Sequence, residues 1–162
     1  EVEVEEIEHD PPVTERSIAR RIALQVLYEV DCTAHTPQQV IDIRLQAQDM
    51  DRKVARYVRL LVAGVLDNRD SIDTVIRQYA REWPLEQVAI VDRNILRMAI
   101  YEFAVSQSTP VGAAIDEAVG LARVFGAENA TSFVNGVLGK LAEDAEQLRA
   151  MLSKADGESV EK

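Results

Sequence analysis

A single cysteine, Cys32, in 162 residues leaves no internal disulfide to form, which suits a reducing compartment and a cytoplasmic protein. Only two histidines accompany it, His9 and His35. Cys32 and His35 stand three apart, but His9 falls in the N-terminal tail, and two ligands do not close a zinc site. The same scarcity leaves no plausible nucleophile–base pair. Neither a phosphate-cradling glycine loop nor a G-x-G-x-x-G turn after a strand occurs, and the helical Glu-x-x-His spacing of di-iron sites is missing. Asp116 and Glu117 are adjacent, so on a helix they diverge by about 100° and cannot share one proton. No run of eighteen apolar residues exists, which excludes a membrane-spanning helix. The acidic N-terminus lacks the basic-then-apolar layout of a secretory signal. These absences argue against an enzyme, a metal site, a cofactor and a membrane protein. They leave a binding module.

What the chain does have is acid and helical periodicity. Twenty-eight Asp and Glu against eighteen Lys and Arg give a net charge of −10, which speaks against non-specific nucleic-acid binding by the molecule as a whole. An apolar fraction of 47% over this length supports one globular domain with a real core. Residues 1–13 read as an acidic tail, where like charges repel and little can be buried. Residues 14–152 form the body, and 153–162 a polar C-terminal tail expected to fray. Apolar residues of the body recur at three- and four-residue steps and nothing alternates with period two for long. The expected fold is therefore all-α, a compact bundle of about seven helices. Trp83-Pro84 divides it into groups at about 14–82 and 83–152, since a proline disfavours a helical residue before it.

The chain is organised around Ile115–Leu141. Val111, Ile115, Ala118, Ala122 and Phe125 line one helix face, and Gly126 follows where a left-handed residue can end a helix. Val134, Val137, Leu138, Leu141 and Leu148 resume the period. Gly136 and Gly139 sit inside this second helix at a cost of roughly 1 kcal/mol each relative to alanine. Such glycines are expected to lie against a close neighbour, either another helix or a ligand or partner backbone.

The first helix, about Glu15 to Asp31, buries Ala19, Ile22, Ala23, Val26 and Val30. Ser17, Arg21, Gln25 and Tyr28 lie opposite, with Arg16 and Arg20 at the boundary. Three arginines near a helix start oppose the macrodipole preference by a few tenths of a kcal/mol each. Read as residues, they form either a solvated rim paired with nearby acids or a small phosphate-binding patch with Tyr28 able to stack a base. The abundance of exposed arginines favours the rim.

Four segments resemble the NusB family of bacterial transcription antitermination and ribosomal RNA biogenesis factors. They are AR-x-x-ALQ-x-LY at Ala19–Tyr28, LV-x-GV-x-x-N at Leu61–Asn68 and VDR-x-ILR-x-AIYE at Val91–Glu102. The fourth is E-A-V-x-L-A-R-x-F-G at Glu117–Gly126 followed by FVNGVL at Phe133–Leu138. Together they span about Arg16–Ala142 in register. The resemblance implies an all-α fold without catalytic residues or cofactors. It also implies binding of boxA-type single-stranded RNA together with a small-subunit ribosomal protein acting as NusE, within an RNA polymerase antitermination complex. Arg16 and Arg20 match the family's arginine-rich motif, Arg21 stands where others carry glutamate, and Tyr28 matches the motif tyrosine. Arg123, Phe125 and Asn129 match further RNA-facing positions, whereas Ser17 and Ile18 depart from the basic run. Glu86 and Asp92 match acidic positions that would face the basic ribosomal partner. On this basis the resemblance outweighs the rim reading of the arginines. A helical protein-interaction adaptor with little RNA binding of its own is the alternative. A detached helical domain of a ribosomal RNA methyltransferase fails as an enzyme for want of a strand-rich catalytic domain. Some relatives self-associate, so a homodimer is among the assemblies the resemblance admits.

Overall fold

A computed structural model describes residues 15–48 and 50–160, with the side chains of 48 and 154–160 left aside. The acidic tail expected over 1–13 falls outside the described residues. Eight α-helices follow one another among the described residues, and no strand occurs. They are α1 (Glu15–Cys32), α2 (Pro37–Gln48), α3 (Arg52–Asp67), α4 (Arg69–Tyr79), α5 (Ile90–Ile100), α6 (Val111–Phe125), α7 (Ala130–Glu143) and α8 (Ala145–Val160). The fold class matches the sequence expectation, with one helix more than the seven expected.

Local chemistry explains most boundaries. Asp51 caps α3 by accepting the Lys53 backbone N–H at 3.1 Å, which satisfies one of the orphan donors of a helix start. Asn68 both ends α3 and precedes α4, so a single junction residue separates the two helices. The segment Leu85–Val105 is three pieces. A 3₁₀ turn at Leu85–Gln87 precedes α5, and a π-helical turn at Tyr101–Val105 follows it. Downstream of Leu152 the helix continues to Val160.

One apolar core runs through both groups of helices. Leu24, Leu27, Leu61, Ile72, Ile76, Ile95, Leu96, Phe103, Leu138 and Leu141 all belong to it. Helix α1 packs on α3 and on α5, and α6 packs on α5 and α7. Three of the glycines correct the sequence reading. Gly136 and Gly139 face open space, with no atom within 4 Å of the position a Cβ would take. Gly126 is not left-handed: its φ of −84° and ψ of 169° are open to any residue. It is required instead by space, because a Cβ there would run into the Ala130 methyl and lie 2.7 Å from the Ala122 carbonyl oxygen. The close approach the sequence placed at Gly136 falls at Gly64, where the Tyr101 ring fills the side-chain position.

Candidate nucleic-acid interface

The start of α1 is fastened by polar contacts rather than left as a free arginine cluster. Arg20 is 4% exposed. Its Nε and Nη2 donate to the two carboxylate oxygens of Glu102, each at 2.8 Å. The same carboxylate accepts from the Tyr57 hydroxyl at 2.6 Å and from Thr109 at 2.9 Å, and Glu117 lies 3.5 Å from the Arg20 guanidinium. Burial by itself would lower the Arg20 pKa, but the hydrogen bond and charge of Glu102, with Glu117 behind it, raise it. The phenol of Tyr57 is pushed up by burial and then by Glu102. A buried, bidentate arginine with its forks occupied cannot also clamp a phosphate. Arg20, expected among the RNA contacts, is thus placed inside, where it joins α1, the π turn and α6. The sequence periodicity put it at the edge of the apolar face, and only its carboxylate partner, 82 residues away, draws it inside.

Arg16 keeps the exposure that the motif implies. It donates to the Ser108 carbonyl at 3.1 Å and lies 5.1 Å from the centre of the Tyr57 ring, a cation–π contact. Ser17, which departs from the family's basic run, donates to Glu117 at 2.9 Å. Arg21 is exposed, and Tyr28 is 44% exposed. Tyr57, Glu102, Thr109 and Glu117 were not singled out by the sequence. Glu102 and Glu117 each carried a signal, as the acid closing the VDR-x-ILR-x-AIYE segment and the acid opening the E-A-V-x-L-A-R-x-F-G one.

The second cluster lies around the α6–α7 turn. Arg123 and Asn129 are exposed and Phe125 half-buried. Asp92, in the first turn of α5, points beneath this turn: its Oδ1 lies 3.2 Å from where a Gly126 Cβ would be. Asp92 is 8% exposed and that oxygen has no hydrogen-bond partner. Burial raises its pKa. Asp92, expected with Glu86 to face a basic partner, is therefore buried while Glu86 is exposed, and a buried, unmatched carboxylate oxygen differs from a surface charge. Glu86 is exposed and touches Arg77 at 3.5 Å, a pair of little energetic weight. Asp31 at the end of α1 is the better-held acid nearby. Burial would raise it, but hydrogen bonds from Arg93 and Asn94 and the charges of Arg97 and Arg93 bring it below its usual value. Arg97 also clamps Asp73 at 2.8 and 3.0 Å, tying α4 to α5.

The described residues therefore define an all-helical binding module with one cationic corner at the head of α1 and one polar turn between α6 and α7. They contain no group of three or more His, Cys, Asp or Glu able to hold a metal, and no helix long and apolar enough to cross a membrane. Residues 17–143 match the NusB family, and the chain belongs to it. The transcription antitermination protein NusB of Chloroflexus aggregans is 41% identical over 128 residues, 78% of this chain and 85% of the relative. That of Roseiflexus sp. is 41% identical over 126 residues, 76% and 89%. Among solved structures, Thermotoga maritima NusB superposes with a TM-score of 0.75 at 31% identity, covering 81% of this chain and 92% of that one. A structure of the antitermination factors NusB and NusE in complex with double-stranded RNA superposes with a TM-score of 0.73 at 25% identity, covering 80% and 96%.

Proposed function

We propose that this chain is a cytoplasmic, non-enzymatic antitermination factor that binds boxA-type single-stranded RNA jointly with a small-subunit ribosomal protein acting as NusE, and so serves ribosomal RNA transcription. Family membership carries this reading, and a solved relative is a complex of NusB, NusE and RNA. Arg16 and Arg21 at the head of α1 supply the first phosphate contacts, and Arg123, Phe125 and Asn129 continue the surface at the α6–α7 turn. Tyr28 offers a ring for stacking. The partner's basic residues meet the exposed Glu86, and the charge of Asp92 behind the α6–α7 turn adds to the negative field they approach.

A second reading is favoured by the burial of Arg20. With one motif arginine spent on Glu102 and a net charge of −10, the chain alone has few free cations at the α1 corner. The adaptor reading holds that the ribosomal partner then carries the RNA. The two are separated by measuring RNA binding with and without the ribosomal partner over a salt series. The double variant Arg16→Ala, Arg21→Ala should weaken the complex on RNA and reduce its salt slope by up to about 1.4, at roughly 0.7 per single-strand phosphate. Unchanged affinity and slope would leave the adaptor reading standing.

A further inference from the structure

A groove of about 480 Å³ lies between the end of α4 with the Arg81–Trp83 turn and the outer face of α7. Trp83, the chain's one tryptophan, is 59% exposed on its rim. Its ring meets Phe133 edge to face at 5.9 Å and 73°, a contact that orients the indole while most of its surface stays in solvent. Gly136 forms part of the floor and has no atom within 4 Å of its Cβ position. A helix-interior glycine that nothing in the fold requires leaves that floor flat. Arg81 and Lys140 line the groove, are exposed, and have no ion-pair partner among the described residues. Ser132 belongs both to this groove and to a second one lined by Arg123, Asn135 and Asp116. The two grooves therefore adjoin at Ser132 on α7, with Arg81 and Lys140 lining one and Arg123 the other.

We propose that these two grooves form an RNA track and that Trp83 is its terminal base-stacking platform. The proposal rests on the RNA-binding reading above and extends the RNA surface beyond Arg123, across α7. Single-stranded RNA fits what the groove offers: a flat aromatic ring for a base, and Arg81, Lys140 and Arg123 for phosphates. Glu82 and Asp116 also line the grooves. They accept hydrogen bonds from base amino groups and repel phosphates, which keeps bases rather than backbone at those points. On a chain of net charge −10, the three cations of these two adjoining grooves outnumber their two acids, Glu82 and Asp116, which suits a polyanion.

The uniqueness of Trp83 makes its fluorescence a direct reporter. The full chain, with and without the basic ribosomal partner, is titrated at low salt with a 20-nucleotide single-stranded RNA carrying a boxA-type sequence, and with its duplex. The single strand should quench Trp83 and the duplex should not. Trp83→Ala should weaken single-strand binding by about tenfold, with Trp83→Phe retaining most of it. Arg81→Ala with Lys140→Ala should lower the salt slope by about 1.4. Gly136→Leu, which fills the floor without touching the core, should weaken binding while leaving the melting temperature no lower. If RNA binds, the Arg16/Arg21 variant loses it, and neither Trp83 fluorescence nor Trp83→Ala responds, the track is overturned while the RNA-binding reading stands. If no RNA binds under any condition, both fall. If Trp83→Ala weakens capture of the ribosomal partner but not of RNA, the groove is a protein site and the track is again refuted.

Discussion

Alanine substitution at Gly126 and at Gly136 should move stability in opposite directions. At Gly126 a methyl group would collide with Ala130 and approach the Ala122 carbonyl oxygen to 2.7 Å, with Asp92 Oδ1 at 3.2 Å. The carbonyl belongs to the last turn of α6, where it accepts the Gly126 N–H at 2.9 Å, so relief requires backbone movement. Overpacking of this kind costs roughly 1–3 kcal/mol. The residue is extended, not helical, so alanine regains no helix propensity to offset that cost. At Gly136 nothing obstructs the methyl and the residue is mid-helix in α7. There alanine gains about 0.5–1 kcal/mol over glycine. For a chain of this size 1 kcal/mol corresponds to about 2–4 °C. Gly126→Ala should thus melt about 2–12 °C lower and Gly136→Ala about 1–4 °C higher, followed by far-ultraviolet circular dichroism. A Gly126→Ala protein that melts at or above the parent would refute the packing argument. A destabilised Gly136→Ala would restore the close helix contact that periodicity suggested.

Glu102→Ala should lower stability by about 3–5 kcal/mol, because it leaves the buried Arg20 charge with only the 3.5 Å contact to Glu117, whereas Arg20→Leu with Glu102→Leu should recover much of the loss; additive single effects in denaturant titrations would disprove the coupling. Asp92→Asn should stabilise the free protein at pH 7. Its folded pKa is raised above 3.8, so the fold favours the protonated acid, a contribution present below the unfolded pKa and lost as pH rises through the folded one. The advantage of asparagine should therefore shrink in melts below about pH 4. Asp31 runs the other way: its folded pKa is lowered from 3.8, so its contribution is present above that value and lost as pH falls through the folded one. Asp31→Asn should accordingly destabilise at pH 7 and converge on the parent in strong acid. In the complex, Asp92→Asn should weaken docking of the ribosomal partner, measured by calorimetry; equal affinity would remove Asp92 from that interface.

Periodicity and turn chemistry were enough to write down most helices and the core. Apolar residues at three- and four-residue steps depend only on the helix repeat, and Asp51 caps α3 through a neighbour two residues away. The family motifs were equally legible, since they are local strings at Ala19–Tyr28, Val91–Glu102 and Phe133–Leu138. What tertiary structure alone decided depends on partners far apart in the chain. Arg20 and Asp92 look like surface charges in a helical wheel. One becomes a buried strut through Glu102, and the other an orphan beneath the Gly126 turn. Gly126 and Gly136 carry the same residue type, yet one is required and the other free, because the space around a Cβ is set by which helix crosses there. The Trp83 groove likewise needs α4 and α7 side by side. Sequence separation hides such contacts, and packing creates them.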